Sequence, residues 1–274
     1  MFYWSWHLRD QTEFLRPKGP NFARASQKKI DISGTKVSLR VPANKTQFNI
    51  DKRDPKSSYD LTQLQTSLYG SEGNEWRSLA LIRRRWDFYG PWFTGGLGSI
   101  NLYAGIYSPK PAAEGLNFFH PRALENGIAN YLTLTYGNDF SVSRPEQSWF
   151  APVNWRQHQN MPCIVARFDA VVNKNVYNDG LRSYLIFPLG KKHIFIAECV
   201  INRNIVFSNK VPEPTTDEWI DHKPFIELAN QVLDSVQITL SPQAQAEQEE
   251  ALRGLDDTSL IKEFPPLKWV KPAK

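Results

Sequence analysis

From Arg182 to Ile201 the chain reads RSYLIFPLGKKHIFIAECVI, with apolar β-forming residues on either side of Gly190-Lys191-Lys192. This is the pattern of a hairpin closed by a short Gly-containing loop. A loop later comes KPFIELANQVLDSVQITL, in which Phe225, Leu228, Ala229, Val232, Leu233 and Val236 recur at the helical period. They form one apolar face. A helix with such a face has to bury it, so strand, turn, strand and helix make a closing unit in which the helix lies on the sheet.

The same alternation recurs earlier. In KIDISGTKVSLRVP, Ile30 and Ile32 and then Val37, Leu39 and Val41 flank Ser33-Gly34, which predicts a hairpin with one buried face, ended by Pro42. Leu61, Leu64 and Leu68, with Ser57 and Asp60 spaced as a capping box, predict a short helix. From Trp76 onward a strand is expected, with Trp76, Ala80, Ile82, Trp86 and Phe88 on one side and Leu79, Leu81, Arg83 and Arg85 on the other. The glycines after Tyr89 interrupt it, and INLYAGIY resumes with Ile100, Leu102, Ala104 and Ile106 on one face. A second hairpin with a long aromatic loop follows. Helical spacing returns in HPRALENGIANYLTLTYG, where Leu124, Ile128, Tyr131, Leu132 and Thr135 form the stripe between Pro121 and Gly137. Strands are expected near Trp149–Arg156 and Pro162–Val172.

This order of elements predicts an α+β fold, a mainly antiparallel twisted sheet covered on one face by two or three helices. Residues 1–28 read as an arm, 29–240 as one domain and 241–274 as a polar tail, an exposed helix of about three turns followed by a floppy end. Within the domain, 29–110 and 147–240 are candidates for two similar halves. No sequence repeat supports that division.

The strand Lys36-Val37-Ser38-Leu39-Arg40-Val41-Pro42, the helix before mid-chain, the paired long strands and the closing helix from Phe225 to Ile238 together resemble the Mog1/PsbP-like fold. That group includes bacterial envelope proteins similar to DcrB, the Eag adaptors of type VI secretion and immunity proteins against interbacterial toxins. The resemblance covers roughly residues 30–240 and implies binding without catalysis, with a toxin or effector as the partner.

With 274 residues, 41% of them hydrophobic and 13% aromatic, the chain has ample material for a core. Its formal charge of +5 comes from 33 basic and 28 acidic residues that are mostly scattered. That distribution argues against nucleic acid and suits an acidic protein partner or an anionic membrane surface. The opening MFYWSWHLRD lacks the features of a signal peptide, which points to the cytoplasm. Its Tyr/Trp cluster also resembles the interfacial edge of a membrane anchor, which would place the chain in the bacterial periplasm or at the inner membrane. An envelope protein with a structural or lipid-associated role is therefore a second expectation.

No catalytic, cofactor or metal residues are expected. His7, His120, His158, His193 and His222 match no metal spacing. Gly95-Gly96-Leu97-Gly98-Ser99 leads into a strand, so it lacks the helix amino terminus that a phosphate loop needs. Cys163, with His193 as base, would be a nucleophile only if it escaped its apolar surroundings, and a hydrolase with a dispersed site is the third expectation. Cys163 and Cys199 read either as two buried thiols or as a cross-strand disulfide. The partner-binding candidates are Arg83, Arg84, Arg85, Trp86, Tyr89, Trp92 and Phe93, with Trp4 and Trp6 as possible additions, because Arg, Trp and Tyr dominate interface hot spots.

Overall fold

The computed structural model describes residues 15–46, 52–63, 67–69, 75–91, 95–110, 113–140, 146–174, 180–203 and 220–270. The expected first hairpin is present as β1 (Ser26–Ile32) and β2 (Thr35–Val41). Its two-residue turn places Ser33 at φ 47° and Gly34 at φ 85°, and the Asp31 carboxylate accepts from the Gly34 N–H at 2.8 Å. Positive φ at both turn positions matches the twist of the flanking strands. Ile30, Ile32, Val37, Leu39 and Val41 are buried as the alternation requires. Strand β3 (Ser58–Tyr59) runs parallel to β1. The short helix expected around Leu61 is instead a single 3-10 turn, Leu61–Gln63, followed by strand β4 (Ser67–Tyr69). Asp60 accepts from both the N–H and the hydroxyl of Thr62, a tight local turn that competes with helix propagation.

The long hairpin is β5 (Glu75–Tyr89) with β6 (Gly96–Lys110), and helix α1 (Pro121–Tyr136) follows between Pro121 and Gly137 as expected. Strands β7 (Trp149–Gln157), β8 (Ala166–Val172), β9 (Leu181–Gly190) and β10 (His193–Arg203) come next. The chain then forms helix α2 (Lys223–Asp234), strand β11 (Gln237–Thr239) and helix α3 (Pro242–Leu252). The large sheet is antiparallel with order β4-β5-β6-β10-β9-β8-β7. The smaller sheet has order β11-β2-β1-β3. Among the described residues the architecture is α+β.

Helices cover both faces of the large sheet, which corrects the expectation of one covered face. Leu185, Phe187, Phe195, Ala197 and Cys199 point into a core with Phe225, Leu228, Ala229, Val232 and Leu233 of α2 and the apolar residues of β1 and β2. We call this the first face. Their neighbours Tyr184, Ile186, Ile194 and Ile196 point the other way, into a second core with Leu124, Ile128, Tyr131, Leu132 and Tyr136 of α1. Because successive strand residues alternate, a central hairpin that is apolar at nearly every position has to be covered twice.

The tail also departs from expectation. Ser241 caps α3 by accepting from the Ala244 N–H at 3.1 Å, and the helix has the expected length of about three turns. Beyond it residues 253–270 are not floppy but pack in extended form over the second core. The Trp155 indole donates to the Ile261 carbonyl at 2.8 Å, the Leu267 N–H to the Ala151 carbonyl at 2.8 Å, and Leu260 is buried. The segment's apolar anchors Leu260, Leu267 and Trp269 are too widely spaced to form a periodic signal.

Candidate functional site

Strand β5 carries the arginine run, and a β-bulge decides where it faces. Ala80 pairs with Gly105 and Ile82 with Ala104, leaving Leu81 as an extra residue. One extra residue exchanges the two faces of the strand. Trp76 before the bulge therefore belongs to the second core, whereas Ile82, Trp86 and Phe88 beyond it belong to the first. The expected single stripe from Trp76 to Phe88 is thus split, and Leu79 and Leu81 leave the arginine side for the first core. A Cβ at Gly105 would lie 2.6 Å from the Leu79 carbonyl oxygen, so the bulge depends on glycine there.

The candidates then separate by parity. Arg84 points inward and is 4% exposed. Its guanidinium donates to the Arg53 and Arg83 carbonyls at 2.6 and 2.7 Å and is paired with Asp54, so it ties residues 52–54 to β5. Lys28 and Arg84 hold the Asp54 carboxyl well below the usual carboxylate range. Trp86 is 0% exposed, and its indole donates to the Ala43 carbonyl at 3.1 Å. Both residues are structural anchors and leave the candidate surface, because a buried side chain has no area to offer a partner. Arg83, Arg85 and Tyr89 remain half-buried on the strand. Lys18 exchanges backbone hydrogen bonds with Tyr89, and the Lys45 ammonium lies 5.4 Å from the Tyr89 ring centroid. Trp92 and Phe93, like Trp4 and Trp6, lie outside the described residues.

Arg83 heads a row that crosses the second face. It pairs with Tyr103 on β6, Tyr103 with Glu198 on β10, Glu198 with Tyr184 on β9, and Tyr184 with Phe168 on β8. The Arg83 guanidinium lies 6.0 Å from the Tyr103 ring centroid, and Tyr103 is 39% exposed. The adjacent row runs Arg85, Asn101, Val200 and Arg182. Arg85 donates to the Asp87 carboxylate at 2.7 Å. Exposure falls along the first row from Tyr103 to the fully buried Tyr184.

At the buried end the polar groups satisfy one another. Tyr184 donates to Glu198 Oε1 at 2.7 Å, and Arg182 Nη1 donates to the same oxygen at 3.0 Å. A phenol has one proton to give, so the hydrogen bond between Tyr136 and Tyr184 is donated by Tyr136. The Arg182 guanidinium lies 4.9 Å from the Trp149 ring centroid and 5.4 Å from that of Tyr136. Burial first, and the Glu198 carboxylate second, push the Tyr184 phenol well above its ordinary value. Burial opposes the Arg182 cation, but the Tyr136 and Tyr184 phenols and Glu198 outweigh it and raise its pKa. Tyr184 stays protonated and Arg182 charged through neutral pH. The arrangement orders the sheet around a fixed charge pair, and its most accessible members are Arg83, Arg85 and Tyr103.

Cys163 and Cys199 are buried and free, which leaves the disulfide reading without support in this structure. Burial pushes both thiols up to about 12, far from the range of a nucleophile at neutral pH. Among the described residues no group of three or more His, Cys, Asp and Glu side chains is placed to hold a metal ion. No helix among them is long and apolar enough to cross a membrane.

Tyr103, Arg182 and Glu198 were missed as site residues. Glu198 and Arg182 carried a readable signal, charged residues within an apolar strand pair, whereas the exposure of Tyr103 depends on how far α1 and the tail extend over the sheet. Comparisons with protein-family models, curated proteins and solved structures find no match for this chain.

Proposed function

We propose that this chain is a non-catalytic protein-binding module that docks its partner on the second face of the large sheet, through Arg83, Arg85 and Tyr103. The carrying observation is Tyr103, a large aromatic residue on an inner strand, 39% exposed and flanked by an arginine over its ring. Tyr and Arg in this setting combine wide rigid contact area with planar charged hydrogen bonding, and strand β6 supplies the fixed geometry that keeps ordering costs low. Tyr89 extends the surface at the end of β5.

Within this reading the architecture is Mog1/PsbP-like, and the partner is a secreted toxin or effector that the protein occludes or escorts, as an immunity protein or adaptor does, at the bacterial inner membrane or in the periplasm. The order of elements supports it: a strand ended by Pro42, a helix before mid-chain, the paired strands β9 and β10, and α2 laid on the sheet. A tagged full-length chain recovered from its native host, with the partner identified by mass spectrometry and titrated by calorimetry, tests the proposal. Arg83→Ala with Tyr103→Ala should weaken binding by about 2 kcal/mol, roughly 30-fold, with the fold intact. Unchanged affinity would remove this face from the interface. Turnover of a substrate that is lost in Glu198→Gln would replace the binding role with an enzymatic one.

A further inference from the structure

A second site lies on the first face, at the other end of the β5–β6 hairpin. Arg77 on β5 stands opposite Ser108 on β6. Ile194 on β10 stands opposite Tyr107, so His193 is next in register beside Ser108 on its other flank. All three side chains share the first face, because Leu79, Ile106 and Phe195, each two residues along its strand, join the first core. Arg77, Ser108 and His193 therefore form one cross-strand row, with the Arg77 and His193 backbones about 10 Å apart at the usual strand spacing. The row lines a cleft of about 130 Å³, floored by Ile106 and walled by Leu61 and Thr62 from the 3-10 turn.

The chemistry of this row is that of an acceptor-seeking site. Among the described residues no side-chain hydrogen bond or ion pair engages Arg77, Ser108 or His193, although all three are half-buried. Thr62 contributes less, since its hydroxyl is committed to Asp60. Among the described residues no carboxylate lines the cleft itself. Glu247 acts on His193 from α3, but it already accepts from the Lys191 N–H at 2.8 Å and the Gln243 amide at 3.0 Å, and the Lys192 cation counters it.

We infer that this cleft binds a phosphate group, free or as a small monoester, with the Arg77 guanidinium as its charge partner and Ser108 and His193 as flanking donors. A guanidinium fork on one side matches two oxygens of an oxyanion, and a tetrahedral group directs further oxygens toward the central Ser108 hydroxyl and the His193 imidazole on the far side. A carboxylate could accept from all three, but its oxygens lie in one plane and carry one charge, so a tetrahedral dianion matches the spread of donors better. Ile106 and Leu61 supply apolar wall for the organic part of a monoester. This site is independent of the proposed protein-binding face, which uses the opposite side of the sheet.

Titration of the full-length protein with inorganic phosphate and, separately, with methyl phosphate at constant ionic strength tests the inference. Saturable one-to-one binding is expected, weakened about tenfold or more by Arg77→Gln and several-fold by Ser108→Ala or His193→Gln, and unaffected by Arg83→Gln. In the wild-type protein the His193 ring proton resonances should shift as phosphate is added. Equal affinities for the two ligands would mean that the phosphate group alone is recognised, and tighter methyl phosphate binding that the apolar wall also contributes; both support the site. Absence of saturable binding by the wild-type protein, unmoved His193 resonances, or an affinity unchanged in a natively folded Arg77→Gln protein would overturn it.

Discussion

The two faces of the large sheet bury their residues by different means. Beneath α2, β1 and β2 the first is closed by a mainly apolar layer around Leu185, Phe187, Phe195 and Ala197, in which Phe88 and Phe225 approach to a ring separation of 4.2 Å and the buried Arg84 and Arg167 are charged exceptions. The second is apolar only beneath α1 and the tail. From Tyr184 and Arg182 at the edge of α1 outward it carries Glu198, Tyr103 and Arg83, joined by hydrogen bonds and ring contacts. An apolar face gains stability in proportion to area, whereas a polar row contributes little net stability once desolvation is counted and instead fixes which geometry is adopted. The first face should therefore dominate stability and the second should dominate recognition of the protein partner.

The largest test of that contrast is Leu233→Ala, which removes a fully buried side chain of α2 from the first core. It should cost about 2–5 kcal/mol in denaturant unfolding, as transfer and cavity effects add. An unchanged midpoint would mean that α2 does not close this core. Next comes Gly105→Ala, whose new Cβ would press on the Leu79 carbonyl and on the bulge that sends Arg83 and Arg85 to the second face. A loss of about 1–3 kcal/mol is expected, as for other overpacked sites. A neutral result would show that the register tolerates the methyl group and that the bulge is not held by glycine.

Tyr184→Phe should be smaller, about 1–2 kcal/mol, because Glu198 keeps Arg182 while Tyr136 loses its acceptor. A cost as large as that of Leu233→Ala would erase the distinction between the faces. The thiols refine it without mutation. Cys163 and Cys199 should resist thiol reagents in the native protein and react on denaturation. Their pKa is raised on folding from 9.0 to about 12, so the native state holds protons that the unfolded chain releases between those values. The thiol contribution to stability is constant below pH 9 and falls as pH rises from 9 toward 12. Replacing both with Ala should flatten that alkaline limb, and an unchanged limb would show that the thiols are not what titrates. The smallest effect is at acid pH. Asp54, held low mainly by Lys28 and Arg84, contributes stability above its unfolded value of 3.8 that is lost as pH falls below it. Asp54→Asn should reduce that acid dependence, and identical acid limbs would exclude it.

Local pattern was enough for several elements. Ser33-Gly34 has the backbone freedom its turn demands, Pro121 and Gly137 bound α1, and Phe225, Leu228, Ala229, Val232 and Leu233 face a core at the spacing that predicted them. Each depends on residues within a turn or two of one another, whose periodicity survives in the linear chain. Other decisions required partners distant in sequence. The extra residue Leu81 exists only relative to Gly105 on the facing strand, and the resulting change of parity buried Arg84 and Trp86 while leaving Arg83 and Arg85 half-buried. The 3-10 turn in place of a helix at Leu61 packs against the first core, and the tail lies over the second through anchors too sparse to show a period. The row from Arg83 through Glu198 to Tyr184 unites residues far apart in sequence through strand pairing. Short-range alternation thus determined which residues are apolar-facing within an element, and tertiary pairing decided which face that is, because register and bulges are properties of two strands and not of one.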